Sequence, residues 1–409
     1  MYQLSIPTRI RTKIQLPASK SISNRALIIN TLAKSKLVPE NLSDCDDTRV
    51  MIKALQGHHE VIDIMAAGTS MRFLTAYLSI TPGVHTITGT TRMQQRPIHV
   101  LVNALRSMGA EIEYIKSEGF PPLRITGKAL TKNEISLPGN ISSQYISALL
   151  MIAPVLPNGL KLSLKGEIIS RPYINLTIQL MKEFGAVVDW NSEHDILIKP
   201  VPYTPTSYVI ENDWSAASYW YQLAAFAEEA EITLPGLLPN SYQGDRRGAE
   251  LFRKLGVDTS FTKDGVILTK NNSCVSRLEE DLVDIPDLAQ TFVVTCALKN
   301  IPFYFSGLQS LKIKETDRIG ALISELGKLG YILHQEKDSI LYWNGERCEP
   351  QTTPEIKTYE DHRMAMAFAP AAMYVPQMRI LEPEVVSKSY PLFWEDLKIA
   401  GVEISQLKR

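Results

Sequence analysis

A pattern that recurs six times along the chain constrains the fold more than any other feature of the sequence. In each copy an apolar helical stretch ends at a glycine, and a strand-like alternation of residues follows. The six glycines are Gly57, Gly109, Gly185, Gly256, Gly330 and Gly401. Successive glycines are 52, 76, 71, 74 and 71 residues apart, so the units are about 70 residues long apart from a shorter first unit. A glycine in this position is typical of a helix C-terminus, where the backbone turns left-handed.

A second pattern alternates with the first, in which a small polar cluster opens an alanine-rich, apolar helix. Its six copies begin at Ser19-Lys20-Ser21, Gly68-Thr69-Ser70, Ser142-Ser143-Gln144, Asp213-Trp214-Ser215, Pro286-Asp287 and Asp361-His362-Arg363. Solenoid repeats are shorter, with periods of ~20–47 residues, so a unit of this length indicates a small subdomain. We therefore predict an α/β protein of six helix-strand units, split three and three between two similar lobes.

The size and the charge of the chain limit its number of domains and its possible partners. Its 409 residues exceed the ~250–300 residues at which single hydrophobic cores stop growing, so we expect two domains. The 43 lysines and arginines are balanced by 44 aspartates and glutamates, for a net charge of −1. Such a chain has no global basic field to attract a nucleic-acid backbone or an anionic membrane, and we expect neither as a partner. Any anion site must be built locally.

Cationic side chains lie beside several of the predicted helix starts, where free N–H groups and the helix dipole favour anions. They are Lys20, Arg25, Arg72, Arg96, Lys314, Arg318, Arg363 and Lys388. Each one alone is explained by a capped surface helix with a solvated charge, but the repetition favours sites for anionic ligands. The sequence contains no Walker A, GxGxxG or GxSxG motif, which argues against nucleotide-triphosphatase, dinucleotide-binding and hydrolase functions.

The residue types that bind metals do not form a convincing site in the sequence. The aspartates of Ser43-Asp44-Cys45-Asp46-Asp47 suit a hard cation, but they precede an apolar helix and are explained more simply as its N-terminal cap. His58 and His59 are adjacent and would point apart, and His362 lies between Asp361 and Arg363. We expect no metal, no cofactor and no requirement for a divalent cation.

The four cysteines are far apart without zinc spacing, which favours a reducing, cytoplasmic location.

Eight motifs of the sequence resemble the 5-enolpyruvylshikimate-3-phosphate synthase family, whose members are 3-phosphoshikimate 1-carboxyvinyltransferases. The motifs are Leu16-Pro17-Ala18-Ser19-Lys20-Ser21-Ile22-Ser23-Asn24-Arg25-Ala26-Leu27, Ala67-Gly68-Thr69-Ser70-Met71-Arg72, Gln95-Arg96-Pro97-Ile98, Ser142-Ser143-Gln144, Ile285-Pro286-Asp287, Lys314-Glu315-Thr316-Asp317-Arg318, Asp361-His362-Arg363-Met364-Ala365 and Lys388-Ser389-Tyr390-Pro391. They follow the family's order, and the resemblance runs nearly from end to end of the chain.

The resemblance implies a two-lobed inverse α/β barrel, with three repeats per lobe, that closes on its substrates. Lobe one is expected at residues 1–18 plus 212–409 and lobe two at residues 19–211. The implied reaction condenses phosphoenolpyruvate with the 5-hydroxyl of shikimate 3-phosphate and releases phosphate through a tetrahedral addition–elimination intermediate. It belongs to aromatic amino-acid biosynthesis, and the expected partners are these two small molecules, bound by a monomer.

The resemblance also implies roles for individual residues. Shikimate 3-phosphate would be held by Lys20, Ser21, Arg25, Ser142, Ser143, Gln144, Ser170, Asp287 and Lys314. Phosphoenolpyruvate would be held by Lys20, Gly68, Arg96, Gln144, Arg318, Arg363 and Lys388, with Arg72 supporting the Gly68 turn. Asp287, Glu315 and Lys20 are the candidates for proton transfer. We expect Asp287 to act as the base at the hydroxyl, and Glu315 and Lys20 to handle the methyl proton and the leaving phosphate.

The sequence departs from the family at the turn before Gly68. Ala66 stands where the family usually has asparagine, and the first repeat is shortened between Gly57 and Ala66.

Two other functions stay open on the sequence alone. Enzymes that transfer the enolpyruvyl group to a UDP-sugar normally carry a reactive cysteine in the Arg-Pro loop, and the loop Arg92-Met93-Gln94-Gln95-Arg96-Pro97 has none. A non-catalytic anion-binding or RNA-end-binding protein would show a basic surplus with exposed aromatics, which the charge balance opposes.

Overall fold

The structure is a computed structural model that describes residues 1–57 and 60–407. His58 and His59 therefore lie outside the described residues. The chain divides into two compact units: unit 1 comprises Met1–Pro17 and Glu211–Arg409, and unit 2 comprises Ala18–Ile210. The boundaries expected from the resemblance, after residues 18 and 211, each lie one residue further along the chain than these.

The described residues form twelve α-helices and twenty strands. The helices are α1 (Lys20–Leu32), α2 (Asp46–Gln56), α3 (Gly68–Ile80), α4 (His99–Ser107), α5 (Ser143–Ile152), α6 (Arg171–Glu183), α7 (Trp214–Phe226), α8 (Gly248–Arg253), α9 (Ala289–Leu298), α10 (Arg318–Lys328), α11 (His362–Phe368) and α12 (Phe393–Ile399). The strands are β1 (Tyr2–Ser5), β2 (Arg9–Lys13), β3 (Val61–Asp63), β4 (Gly83–Thr88), β5 (Glu111–Tyr114), β6 (Leu123–Gly127), β7 (Glu134–Pro138), β8 (Leu160–Lys165), β9 (Val188–Trp190), β10 (Asp195–Ile198), β11 (Glu229–Pro235), β12 (Leu255–Thr262), β13 (Gly265–Cys274), β14 (Leu278–Asp281), β15 (Phe303–Ser306), β16 (His334–Glu336), β17 (Ile340–Trp343), β18 (Glu355–Ile356), β19 (Arg379–Ile380) and β20 (Glu403–Gln406).

Five four-stranded sheets of one topology carry the repeat. Their strand orders are β3-β4-β6-β5 and β7-β8-β10-β9 in unit 2, and β2-β11-β13-β12, β14-β15-β17-β16 and β18-β19-β1-β20 in unit 1. In each sheet the first two strands are parallel and the other neighbours antiparallel. A parallel pair needs a crossover connection, which a helix supplies within the continuous repeats. The N-terminal strands β1 and β2 complete two sheets of unit 1, so this unit is built from both ends of the chain.

The first repeat differs from the other five. It contains the helices α1 and α2, but among the described residues its only strand pairing is an isolated parallel bridge between Glu40 and Val209. The first of the six predicted helix-strand units, already expected to be shorter, therefore has its two helices but no sheet among the described residues. Gly57 at the end of α2 is also extended, with φ −133°, whereas the other five repeat glycines have φ between +83° and +107°, as a helix C-terminal glycine requires.

The helices that open each repeat lie in the interior. All ten residues of α9 are buried, as are twelve of the thirteen residues of α7. Each unit has its own hydrophobic core, in which the inward faces of the sheets cover the opening helices. Their N-termini are fixed by side chains at four places, because Ser19, Ser142, Asp213 and Asp361 each accept a hydrogen bond from the first turn. The sequence predicted these helix starts correctly.

Candidate active site

The charged residues predicted in unit 1 come together at the starts of three helices. Asp287 lies in a 3₁₀ turn (Pro286–Leu288) directly before α9, and Arg318 is the first residue of α10. Asp361 caps α11, and Arg363 lies in its first turn. Lys388 ends a second 3₁₀ turn, Pro383–Lys388. Because these helices open in the same unit, side chains distant in sequence become neighbours.

Arg318 is the centre of this cluster and is only 1% exposed. Its Nε lies 2.7 Å from Oδ2 of Asp361, and its Nη2 lies 2.9 Å from Oε2 of Glu315. Its Nη1 lies 3.2 Å from Oδ1 of Asp287. Burial by itself lowers the pKa of Arg318, but the carboxylates, led by Asp361, outweigh this effect and raise the pKa above its ordinary value. The guanidinium is thus permanently charged and held on three sides.

Asp287 contacts three cations. Its Oδ1 lies 3.2 Å from Nη1 of Arg318 and 3.6 Å from Nζ of Lys314, and its Oδ2 lies 2.9 Å from Nη2 of Arg363. Burial lowers the pKa of Lys314, and the charge of Asp287 partly offsets that shift. Lys388 in turn lies 3.3 Å from the second oxygen of Glu315. We call the set Asp287, Lys314, Glu315, Arg318, Asp361, Arg363 and Lys388 the unit 1 cluster.

The unit 1 cluster carries four cations against three carboxylates, which leaves one positive charge. Lys314, Asp287, Glu315 and Lys388 all keep part of their side chains open to solvent, whereas Asp361 is fully buried. An anion that enters can therefore meet cations whose present partners are the partly accessible carboxylates Asp287 and Glu315. This arrangement suits a substrate with phosphate or carboxylate groups, and it places two carboxylates where a proton can be exchanged with that substrate.

A second group of predicted residues comes together in unit 2, around the start of α3. The Nη1 of Arg72 donates to the carbonyl of Gly68 at 2.8 Å, and Nε2 of Gln144, from α5, donates to Oγ1 of Thr69 at 3.1 Å. A Cβ atom at Gly68 would lie 2.7 Å from Nη1 of Arg72 and 2.7 Å from Nη1 of Arg96. Two guanidinium groups thus cover the backbone at this helix start, which favours an anion. Ala66, where the family usually has asparagine, is exposed and leaves these contacts intact.

Gly68→Ala is expected to raise the KM for an anionic substrate bound at this turn by about tenfold, because the new methyl group displaces both guanidinium ends. The Cβ meets only the far ends of flexible side chains, so the Tm should change little. Steady-state kinetics and thermal unfolding test both expectations. Gly327→Ala, in the last turn of α10 where a Cβ meets nothing within 4 Å, is the matched control for the KM. An unchanged KM in Gly68→Ala would show that the turn does not bind substrate.

The predicted residues of α1 separate into an accessible and a buried group. Lys20, the first residue of α1, keeps part of its side chain exposed, and its Nζ lies 3.6 Å from Oδ2 of Asp47. Arg25 is buried; it donates to Thr177 at 2.7 Å, to Ser147 at 3.1 Å and to the carbonyl of Ser21 at 2.8 Å. Burial lowers the pKa of Arg25 to about 10. The acceptors of Arg25 are all uncharged, so an anion beside it would find a cation without a competing carboxylate.

The predicted serines lie at helix starts in unit 2. Ser21 belongs to the first turn of α1, Ser142 caps α5, and Ser143 is the first residue of that helix. Ser170 precedes α6 in the left-handed conformation, with φ 54°. Hydroxyl side chains beside a helix N-terminus can donate hydrogen bonds to a phosphate that binds there.

The structure adds acidic residues that the sequence did not single out as part of a site. Asp361 holds Arg318 from the buried side, and Asp47 holds Lys20. Asp47 had been interpreted as part of an N-terminal cap, but the residue at the N-cap of α2 is Cys45, which makes no side-chain capping bond. Asp245 is buried beside Ser215, whose hydroxyl donates to its Oδ2. Asp361, Asp47 and Asp245 all lie next to a helix start, and the sequence shows this. The sequence does not show which side chain each of them contacts.

Asp245 gives unit 1 a pH-dependent stability. Burial, and next the negative charge of Asp287, raise the pKa of Asp245 to about 7 from its ordinary value of 3.8. Between these two values the folded protein binds a proton that the unfolded chain has lost, so the free energy of unfolding falls as the pH rises from about 4 to about 7. Above pH 7 the destabilisation amounts to at most ~4 kcal/mol.

Asp245→Asn removes this titration. We expect the variant to gain stability over the wild type as the pH rises from 5 to 8, with no gain near pH 4. Chemical denaturation at several pH values measures the difference. Asp258→Asn, at an exposed surface pair with Arg253, is the control. A difference between Asp245→Asn and wild type that stays constant with pH would contradict the raised pKa.

Within residues 1–57 and 60–407, no three His, Cys, Asp or Glu side chains are grouped in a way that could hold a metal ion. No helix in the described part of the chain combines the length and apolar character that a membrane crossing needs.

Solved structures with a similar fold define a class for this chain. An EPSP synthase from Acinetobacter baumannii superposes with a TM-score of 0.77 at 20% identity, covering 99% of this chain and 100% of that one. The enolpyruvyl transferase NikO from Streptomyces tendae superposes with a TM-score of 0.71 at 15% identity, covering 99% and 98%. The fold is therefore that of the enolpyruvyl transferases, and the predicted two-lobed α/β fold class is confirmed.

Sequence comparison is more specific. The family described as EPSP synthase (3-phosphoshikimate 1-carboxyvinyltransferase) matches residues 4–59 and 55–397. A 3-phosphoshikimate 1-carboxyvinyltransferase from Bacteroides fragilis is 68% identical over 403 residues, which are 98% of each chain. One from Shewanella halifaxensis is 35% identical over 411 residues, covering 94% of this chain and 95% of that one. The chain belongs to the EPSP synthase family, as the sequence motifs indicated.

Proposed function

We propose that this chain transfers the enolpyruvyl group of phosphoenolpyruvate to the 5-hydroxyl of shikimate 3-phosphate and releases phosphate, a step of aromatic amino-acid biosynthesis. The observation that carries the proposal is the 68% identity, over 98% of both chains, to a relative named for this activity. The clustered cations and carboxylates agree with the proposal, because both substrates are anions and the reaction moves protons.

Phosphoenolpyruvate is the substrate that we assign to three of the four cations of the unit 1 cluster. Arg318, Arg363 and Lys388 supply three positive charges within that cluster. Gly68, Arg96 and Gln144, at the α3 start in unit 2, are the further residues proposed for phosphoenolpyruvate, and Lys20 is proposed to serve both substrates. This assignment gives phosphate and carboxylate groups more than one cation each.

Shikimate 3-phosphate is assigned to the hydroxyl-rich helix starts of unit 2. The proposed ligands are Lys20, Ser21, Arg25, Ser142, Ser143, Gln144 and Ser170, together with Asp287 and Lys314 of unit 1. Serine hydroxyls and free helix N–H groups bind phosphate oxygens without adding charge. Buried Arg25 adds a positive charge whose present acceptors are neutral.

The proposed chemistry has two steps that share the same groups. In the addition, C3 of phosphoenolpyruvate gains a proton, and the 5-oxygen of shikimate 3-phosphate loses its proton and bonds to C2. In the elimination, the C2–O bond to phosphate breaks and C3 loses a proton, which restores the double bond. Asp287 is the proposed base at the hydroxyl, and Glu315 and Lys20 are proposed to serve the methyl proton and the leaving phosphate.

Phosphate release by the purified protein with phosphoenolpyruvate and shikimate 3-phosphate tests the proposal directly. We expect release that depends on both substrates, and none when UDP-N-acetylglucosamine replaces shikimate 3-phosphate. Phosphate release with the UDP-sugar but not with shikimate 3-phosphate would indicate the sister activity. If neither acceptor supports phosphate release, enolpyruvyl transfer is contradicted. We further propose that the enzyme acts as a monomer in the cytoplasm; a molar mass near 45.8 kDa in light scattering supports the monomer.

A further inference from the structure

An unusual turn precedes the helix that carries Asp361 and Arg363. The amide of Asp361 donates to the carbonyl of Thr358 at 2.9 Å, and both intervening residues, Tyr359 and Glu360, have positive φ, at 55° and 54°. These values describe a turn of type I′, which glycine, asparagine and aspartate normally occupy. Tyrosine and glutamate are strained there because a Cβ atom disfavours the left-handed conformation. Such strain persists only where the surroundings hold it.

One face of α10 lies along the segment that contains this turn. Arg318, Glu325 and Lys328 follow one another at spacings of seven and three residues, which places them on the same side of the helix. Lys328 donates to the carbonyl of Glu355 at 2.7 Å, and Arg318 pairs with Asp361. The helix therefore holds the segment 355–361 at both ends.

Glu325 holds the middle of the segment. This carboxylate is completely buried, and its Oε1 accepts the hydroxyl of Tyr359 at 2.6 Å. Its Oε2 accepts the amide of Lys357 at 3.0 Å and lies 2.6 Å from Nζ of Lys328. A buried carboxylate with donors on both oxygens has one favourable arrangement, so it fixes the position of the tyrosine that bonds to it.

We propose that Glu325 and Tyr359 are positioning residues for the unit 1 cluster. Their hydrogen bond holds the strained turn at residues 358–361, and the turn sets Asp361, which orients Arg318 and caps the helix of Arg363. Neither residue touches the substrate; both act through Asp361. The inference rests on the proposed function, in which Arg318 and Arg363 bind phosphoenolpyruvate.

Tyr359→Phe is the first test, because it removes one hydroxyl and keeps the ring. The KM for phosphoenolpyruvate should rise about tenfold while kcat changes less than about threefold, since misplaced cations weaken binding more than chemistry. Hydrogen exchange of the Asp361 and Arg363 amides should accelerate by about tenfold or more, because the turn opens more often. Tyr304→Phe, on strand β15, is the matched control and should change neither quantity.

A rescue experiment separates positioning from simple destabilisation. Glu360→Gly lowers the strain of the turn, because glycine adopts positive φ without a Cβ penalty. In the Tyr359→Phe background it should return the KM to within about threefold of wild type. A general loss of stability would not be corrected at this position. If Tyr359→Phe does not fold, Glu325→Gln should shift the KM and the exchange rates in the same direction by at least as large a factor, because the amide nitrogen of glutamine would face a donor.

The outcomes distinguish this inference from the proposed function. A wild-type protein that releases phosphate, together with a Tyr359→Phe variant of unchanged KM, overturns the positioning role and leaves the function intact. If Tyr359→Phe raises the KM and Glu360→Gly does not restore it, the positioning role is also overturned. The turn at residues 358–361 would then not link Tyr359 to the unit 1 cluster. A wild-type protein without enolpyruvyl transfer refutes the function, and amide exchange at Asp361 and Arg363 still decides whether Glu325 and Tyr359 hold the turn.

Discussion

Glu315→Gln is expected to lower kcat by about 10²–10⁴, the usual span for a general acid–base group. The substitution keeps the shape of the side chain and removes its ionisable group. In the structure Glu315 lies 2.9 Å from Arg318 and 3.3 Å from Lys388, two cations that are assigned to phosphoenolpyruvate. A carboxylate in that position competes with an anionic substrate in the ground state, so its presence is best explained by proton transfer.

The measurement that separates proton transfer from ion pairing is the exchange of the methylene hydrogens of phosphoenolpyruvate with deuterated solvent. If Glu315 delivers or removes that proton, exchange and kcat should fall together in Glu315→Gln, while the KM for phosphoenolpyruvate stays constant or falls. Glu279→Gln, which breaks the surface pair with Arg277, is the control and should leave both rates unchanged. A higher KM with normal kcat would instead show that Glu315 only orients its two cations.

The fold was predictable from the sequence wherever local chemistry decided it. Helix starts such as Ser142 and Asp213 follow from capping, and helix ends such as Gly185 and Gly401 follow from the left-handed conformation that glycine adopts easily. In the first repeat the sequence showed a shorter unit, from the 52-residue spacing of its glycines, but the local pattern did not show that its sheet is missing. At Gly57 the sequence pattern is the same as elsewhere, but the backbone is extended, with φ −133°.

The candidate site was predictable as a set of residue types and not as a set of contacts. Cations beside helix starts, such as Arg318 and Arg363, stand out in the sequence because each follows an aspartate or small polar residue. The partners of these cations do not stand out in the sequence. Arg318 and Asp361, for example, are 43 residues apart and meet only through the packing of α10 and α11. Asp245 and Glu325 were missed for the same reason, because burial and long-range neighbours give each its role.

Asp287 differs from Glu315 in the number of cations around it. It contacts Arg318, Arg363 and Lys314 within 3.6 Å, so in the absence of substrate it neutralises much of the charge that phosphoenolpyruvate is proposed to meet. Replacing it by asparagine removes a negative charge and leaves the unit 1 cluster with two positive charges. Phosphoenolpyruvate should then bind as well as before or more tightly, because the competing carboxylate is gone.

Asp287→Asn is nevertheless expected to lower kcat by about 10²–10⁴, because asparagine cannot take the proton of the 5-hydroxyl. Shikimate 3-phosphate should bind more weakly, since the carboxylate that is proposed to accept that hydroxyl is lost. Pre-steady-state phosphate release and direct binding of each substrate measure the three quantities separately. A lower kcat with tighter phosphoenolpyruvate and weaker shikimate 3-phosphate is the combination that a base at the hydroxyl predicts and that a purely structural ion pair does not. Near-wild-type kcat in both Asp287→Asn and Glu315→Gln would make the two carboxylates structural and leave Lys20 as the only proton carrier in the proposed mechanism.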